Sequence, residues 1–430
     1  MPNVEEIGPY VYEVSKYRKN EVDDEDSDTL TYDLVNLFHY RPDLSAPSDV
    51  TICQLSPLLI GGLVKVIIEM PELINFVQAG LALVHGRSDT PFICFNALEP
   101  IHIGYYINCN QTEFTAKAIC SALGAQDFFR KINGSDKHLE FAQLFKFNNT
   151  VEATLTILRG TKVPQDIGKV VAVNGKASLD IFENEKCNVI NGTDGISFPP
   201  KQMKDKEQWM YYQNIFKSLP LEFTRKKSIH GINTLLKEIK WDSHLFDPDC
   251  NINEYLDYQI KGVIDMHEYL EGFTWISGPH NYLAEEKMSE NIQGFHPNKQ
   301  KHFSGVYLDP LTGVMLRNFI RFQINVLSLP IETYPILSQV RESRVPYYWL
   351  DFSYEASPAI LHRLQIIHTV KSVANFIGRS AFIIGIVGCI VSIAGIAFGI
   401  GPDTPKILNV IPNEDASNKN YGSASTQAEN

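Results

Sequence analysis

Basic residues are the minority charge in this chain of 430 residues: 38 lysines and arginines face 50 aspartates and glutamates, a formal net charge of −12. That balance excludes the cationic footprint that nucleic-acid binding needs, and a polybasic grip on anionic lipid. Cysteine is scarce too, seven residues in all. They are scattered, with no C-x-x-C pair and no metal-ligand spacing, so zinc and thioredoxin-like chemistry are not expected, nor is any other cofactor. Also missing are the G-x-S-x-G elbow, H-E-x-x-H, the Walker A loop and G-x-G-x-x-G. His280, in Ser277-Gly278-Pro279-His280, and His302, beside Lys301, stand without a nucleophile or metal partner. Structural roles outweigh general-base chemistry for both, and no enzymatic activity is expected. The opening MPNVEEIGPYVYEVSKYRK holds neither a signal peptide nor an apolar span. Residues 1–380 show no internal repeat, Gly/Ser linker or Pro-rich hinge, so one large domain is expected there.

One long apolar run is present. Residues 381–400 read AFIIGIVGCIVSIAGIAFGI, without charge, proline or amide. As a helix this run spans roughly 30 Å, the thickness of a bilayer's hydrocarbon core. A transmembrane helix is expected, ended by Gly401-Pro402. Gly395 and Gly399 form a small-xxx-small pair on it. Residues 401–430, rich in Asn, Ser and Ala, are expected to form a polar, disordered cytoplasmic tail.

Before the anchor the pattern is α+β. Tyr10 to Tyr17 and Thr29 to Tyr40 are expected to pair as strands across the acidic run 21–28, read as a solvated hairpin loop. Residues 58–85 are apolar, but Lys65, Glu69 and Glu72 interrupt them. Each would cost roughly 2.5–3.5 kcal/mol at a bilayer centre, so two amphipathic helices are expected rather than a span, with Pro71 at the first turn of the second. Glu113 to Leu123 predicts a further short helix. From about Glu152 strands dominate: Lys169 to Val173 runs into the turn Asn174-Gly175, and Phe319 to Leu327 alternates. In that stretch Ile320, Phe322, Ile324 and Val326 share one face and Arg321, Gln323 and Asn325 the other.

Sequons at Asn110, Asn133, Asn148 and Asn191 all precede the anchor and point to a glycosylated exterior domain. Charge points the other way. Arg363, Lys371 and Arg379 precede the run against Lys406 behind it, so the positive-inside rule applied to one span favours a tail-anchored domain facing the cytosol.

GPYVYE (8–13), RPDLS (41–45), CNVINGTDGISFPP (187–200), KGVID (261–265), GPHNYL (278–283), GFHPNKQKH…LDPLTG (294–313), RFQINV (321–326) and VPYYWLD (345–351) together resemble the class B scavenger receptor family, in the family's order. INCNQTEFTAKAICSAL (107–123) is most similar to the insect sensory neuron membrane proteins. The resemblance implies a two-pass plasma-membrane glycoprotein. Its exterior domain would be an antiparallel β-barrel capped by a helical apex bundle and pierced by an apolar tunnel. It further implies lipid or fatty-acid-derived ligands and, for the sensory branch, assistance to odorant receptor subunits in detecting lipid-derived pheromones. General lipid uptake by a scavenger receptor is the alternative. On that pattern the helices between Leu58 and Leu123 receive ligand, with Lys65 and Lys117 as candidates to meet a carboxylate or ester.

Two departures accompany the resemblance. Relatives begin with a membrane helix and a further exterior stretch before the GPY motif, and in them that first helix sets topology, which favours the exterior placement. Of the family's six disulfide cysteines, Cys187 and Cys250 are kept while Phe216, Ile252, Tyr258 and Tyr269 stand at the other four positions. The resemblance therefore implies a Cys187–Cys250 bridge. Cys109 and Cys120, close in sequence at a predicted helix start, are a second possible pair.

Overall fold

The computed structural model describes residues 3–86, 90–182, 184–205, 207–239, 260–266, 274–335 and 337–397. The chain falls into two compact units, residues 1–361 and 362–430. In chain order the first unit holds β1 (Tyr12–Asp24), β2 (Thr29–Tyr40), β3 (Thr51–Leu55), α1 (Pro57–Glu69), α2 (Ile74–His85), β4 (Phe92–Asn96), β5 (Tyr105–Asn108), α3 (Phe114–Leu123), β6 (Phe129–Lys131) and β7 (His138–Phe141). There follow α4 (Gln143–Phe147), β8 (Val151–Leu158), β9 (Val170–Val173), β10 (Gln208–Tyr212), β11 (Lys217–Ile229), β12 (Ile232–Ile239), β13 (Val263–Asp265), β14 (Thr274–Ser277), α5 (Lys299–His302), β15 (Gly305–Leu308), β16 (Met315–Ser328) and β17 (Ser343–Glu355).

The strand ladders are antiparallel. One sheet runs β1-β2-β8-β9, and a second of eight strands runs β10-β11-β12-β15-β16-β14-β13 with β17 also on β16. The expected hairpin of β1 and β2 is present, but only residues 25–28 of the acidic run form its turn, because β1 continues to Asp24. Asp28 departs from a solvated loop altogether. It is buried, accepts hydrogen bonds from the Thr161 hydroxyl and from the backbone N–H groups of Thr161 (3.3 Å) and Lys162 (3.0 Å), and so fastens the hairpin tip to the turn after β8.

The two large sheets are sewn together by residues 192–194. Val170 N–H donates to the Gly192 carbonyl, Thr193 N–H to Trp209 O (3.1 Å) and Tyr211 N–H to Thr193 O (2.8 Å). Glycine is required at the seam: φ is +95° at Gly192, and a Cβ there would stand 2.2 Å from the Trp209 carbonyl carbon. The joined sheets do not close into a barrel among the described residues. β17 occupies one edge of β16 along most of its length, and β15 and β14 share the other edge, so the sheet forks at β16 instead of returning to β1.

The alternation read in β16 has a physical outcome on both faces. Ile320 and Phe322 lie in the main apolar core with Leu219, Ile264 and Val306, and Ile324 packs against it. The opposite face is not solvated around Gln323 and Asn325, both of which are buried. Gln323 Nε2 donates to Asn281 Oδ1 (3.0 Å) and Asn325 Oδ1 (2.8 Å), and Asn325 Nδ2 donates to Ser277 Oγ (3.0 Å). Donors and acceptors meet on one another, which is the condition for burying amides without a large penalty.

α6 runs from Pro358 to Ala397, starting at the end of the first unit and well ahead of the predicted start at Ala381. No proline follows Pro358 within it, and Ser372 and Ser392 hydroxyls fold back onto the carbonyls of His368 and Gly388, so nothing breaks the helix. Ile384, Ile390, Val391 and Ile396 are all more than half exposed, apolar surface that water would not tolerate over such a length. Gly399 and the predicted tail lie outside the described residues.

Candidate functional site

Between β3 and β4 the chain forms the expected helix pair, and α3 joins it. Ser56 caps α1 by accepting from Leu59 N–H (3.3 Å), and Pro71 opens a short 3-10 turn that leads into α2. Leu59, Ile60, Leu63 and Val64 of α1 pack with Leu81 of α2 and with Leu327 and Ile331. α2 and α3 cross closely at Gly80, where a Cβ would lie 2.7 Å from the Thr115 carbonyl oxygen. At the outer end of that crossing Phe76 and Phe114 meet edge to face at 5.9 Å, with Phe114 77% exposed.

Two disulfides hold this region. Cys53 and Cys94 face each other on β3 and β4 and close a loop that contains α1 and α2. Cys109 and Cys120 tie the end of β5 to α3. The second couple is the possible second pair of the sequence analysis, whereas the first is not expected there. A signal was there: in TICQL and FICFN a cysteine is the middle residue of each of two short strand-like segments flanking the helical run. Cys187 is buried in a 3-10 turn and is disulfide-bonded. Cys250, Ile252, Tyr258 and Tyr269 lie outside the described residues, while Phe216 packs against the main core.

The two candidate lysines sit on different helices. Lys65 forms an ion pair with Glu69 at 4.0 Å. Lys117, exposed on α3, follows Glu113 by one turn. The Glu113 carboxyl is held below the usual range first by its own backbone N–H, then by Thr112, with Lys117 adding to the effect.

His280 and His302 come together, 4.7 Å apart and stacked within 9°. Asn298 N–H donates to His302 Nδ1 (3.0 Å), and His296 N–H donates to His280 Nδ1 (3.2 Å), leaving His280 Nε2 to donate to Glu6 (3.0 Å). The pair anchors the N-terminal segment beside the buried amide network. No group of three or more His, Cys, Asp or Glu suited to a metal occurs among the described residues.

The interior of the large sheet is aromatic. Phe322 and Phe352 stack at 5.9 Å, and Tyr212 meets them edge-on at 6.2 and 6.5 Å. Phe182 and Phe216 close against the same cluster.

Antiparallel sheets with an aromatic interior, a disulfide-bound helical region and, among the described residues, one helix long and apolar enough to cross a membrane are the features of a membrane-anchored protein. Residues 1–396 match the model of the CD36 family, and the chain belongs to that family. It is 27% identical over 416 residues to sensory neuron membrane protein 1 of Aedes aegypti, covering 96% of this chain and 76% of that protein. The protein of the same name from Antheraea polyphemus is 30% identical over 356 residues, 81% of this chain and 67% of its own length. That of Manduca sexta is 28% identical over 356 residues, with 81% and 68% covered.

Proposed function

We propose that the first unit is an exterior lipid-binding domain, held at the plasma membrane of sensory neurons by α6, which takes up lipid-derived odorants or pheromones and passes them to odorant receptors in the membrane. The observation that carries this reading is the family match over residues 1–396, together with relatives named for sensory neuron membranes. Supporting the exterior placement, Cys53–Cys94 and Cys109–Cys120 belong to an oxidising compartment, which outweighs the charge bias around the span. The helices α1–α3 serve as the receiving apex, their aromatic pair Phe76 and Phe114 offering an apolar landing next to Lys117. A tunnel through the aromatic interior then takes up the hydrocarbon chain.

Saturable binding of radiolabelled palmitic acid and of long-chain esters to the full-length protein in detergent is the expected result. A well-folded sample that binds none of them ends the proposal.

A further inference from the structure

The hairpin of β10 and β11 carries two buried polar side chains left unsatisfied among the described residues. Tyr212 and Lys217 are cross-strand partners, so their side chains leave the same face of the sheet. That face is the aromatic interior: Tyr212 belongs to the main core, and Phe182 and Phe216 close against it. Lys217 is 2% exposed and Tyr212 9%. Among the described residues, neither the Lys217 ammonium nor the Tyr212 hydroxyl has a hydrogen-bond partner. No carboxylate among the described residues pairs with Lys217, whose Nζ lies instead 3.4 Å from the centroid of the Phe182 ring. A ring face replaces only part of an ammonium's hydration. How strongly the site penalises the cation shows in the amine's pKa, which burial draws down to about 7.

An ammonium can only donate, and a phenol hydroxyl can donate. Two unmet donors on one face call for an acceptor, the cation calls for an anion, and the phenylalanines around them call for hydrocarbon. We propose that Lys217 and Tyr212 form the internal head-group seat of an amphiphile site and receive the carboxylate of a long-chain acid, Lys217 as counter-ion and Tyr212 as second donor. The inference rests on the lipid-binding reading and adds selectivity to it. The seat lies in the core of the eight-stranded sheet, apart from Lys65 and Lys117, and favours acids over neutral lipids of equal length.

The test uses the full-length protein in detergent with radiolabelled palmitic acid, competed by unlabelled palmitic acid, methyl palmitate or hexadecanol. Wild type is expected to prefer the acid by roughly tenfold or more, the worth of a charge-assisted hydrogen bond. Lys217→Met should erase that preference while leaving ester and alcohol binding within about twofold, and Tyr212→Phe should weaken acid binding by roughly threefold or more. Replacing an uncompensated buried cation by an apolar chain is commonly neutral or stabilising, so an unchanged or raised melting temperature is expected. Should Lys217→Met lose its fold, Lys217→Arg, which keeps the charge, must keep the acid preference, and Tyr212→Phe is judged alone. Equal binding of acid, ester and alcohol by wild type, or an acid preference that survives Lys217→Met, overturns the seat and leaves lipid binding standing. If wild type binds none of the three, the lipid-binding reading falls and the seat with it.

Discussion

His302 stands for a class of residue whose type says little and whose surroundings say nearly everything. Burial, then the neighbouring His280, pull its imidazole from 6.5 down to about 4, and Arg321 and Lys301 push the same way against the opposing pull of Glu6. Between about pH 6.5 and 4 the unfolded chain binds a proton that the folded protein refuses. Stability therefore falls as pH drops through that window and is insensitive to His302 above and below it. The shift corresponds to about 3 kcal/mol at most. Urea unfolding at pH 4.5 and 7.5 should show a smaller difference for His302→Gln than for wild type, and equal differences would remove His302 as the cause. Structural roles are what the sequence favours for both histidines, but nothing in it stacks them. Residues 22 positions apart meet only because GPHNYL and α5 converge beside β16.

Elements were more legible than their partners. The charges in the apolar stretch 58–85 separate two amphipathic helices from a span, and the alternation of β16 fixes its apolar face. What stayed hidden was what each second face meets. Gln323 and Asn325 look solvent-bound in one dimension, yet Asn281 and Ser277 wait for them in three. The Cys53–Cys94 bridge was hidden likewise, since strand register decides it and register is a property of two segments at once. With its ends 41 positions apart, this bridge stabilises by about 4 kcal/mol in the chain-entropy picture. The Cys109–Cys120 bridge, spanning 11, gives about 3 kcal/mol. Cys53→Ser should thus lower secretion and stability more than Cys109→Ser, as read by surface delivery and thermal melting. A reversed order would mean that local packing of α3, rather than loop closure, dominates.

For the molecule as a whole, the decisive measurement is which sequons carry sugar. Asn110, Asn133 and Asn148 are exposed, whereas at Asn191 the N–H donates to Ser218 Oγ (2.8 Å) and Thr193 is 3% exposed within the seam. Glycopeptide mapping of surface protein should find glycans at the first three and none at Asn191. A chain bare at all four would instead favour a cytosolic domain. The position of Asn191 next to the seam would give this sequon a different use. An oligosaccharide added there during synthesis would stand where Gly192 and Thr193 must slide between β9 and β10, so the two sheets could not be joined afterwards. Sugar at Asn191 would then mark molecules that missed assembly, and the ratio of that species in the endoplasmic reticulum to that at the cell surface would report how quickly the seam closes against the rate of modification.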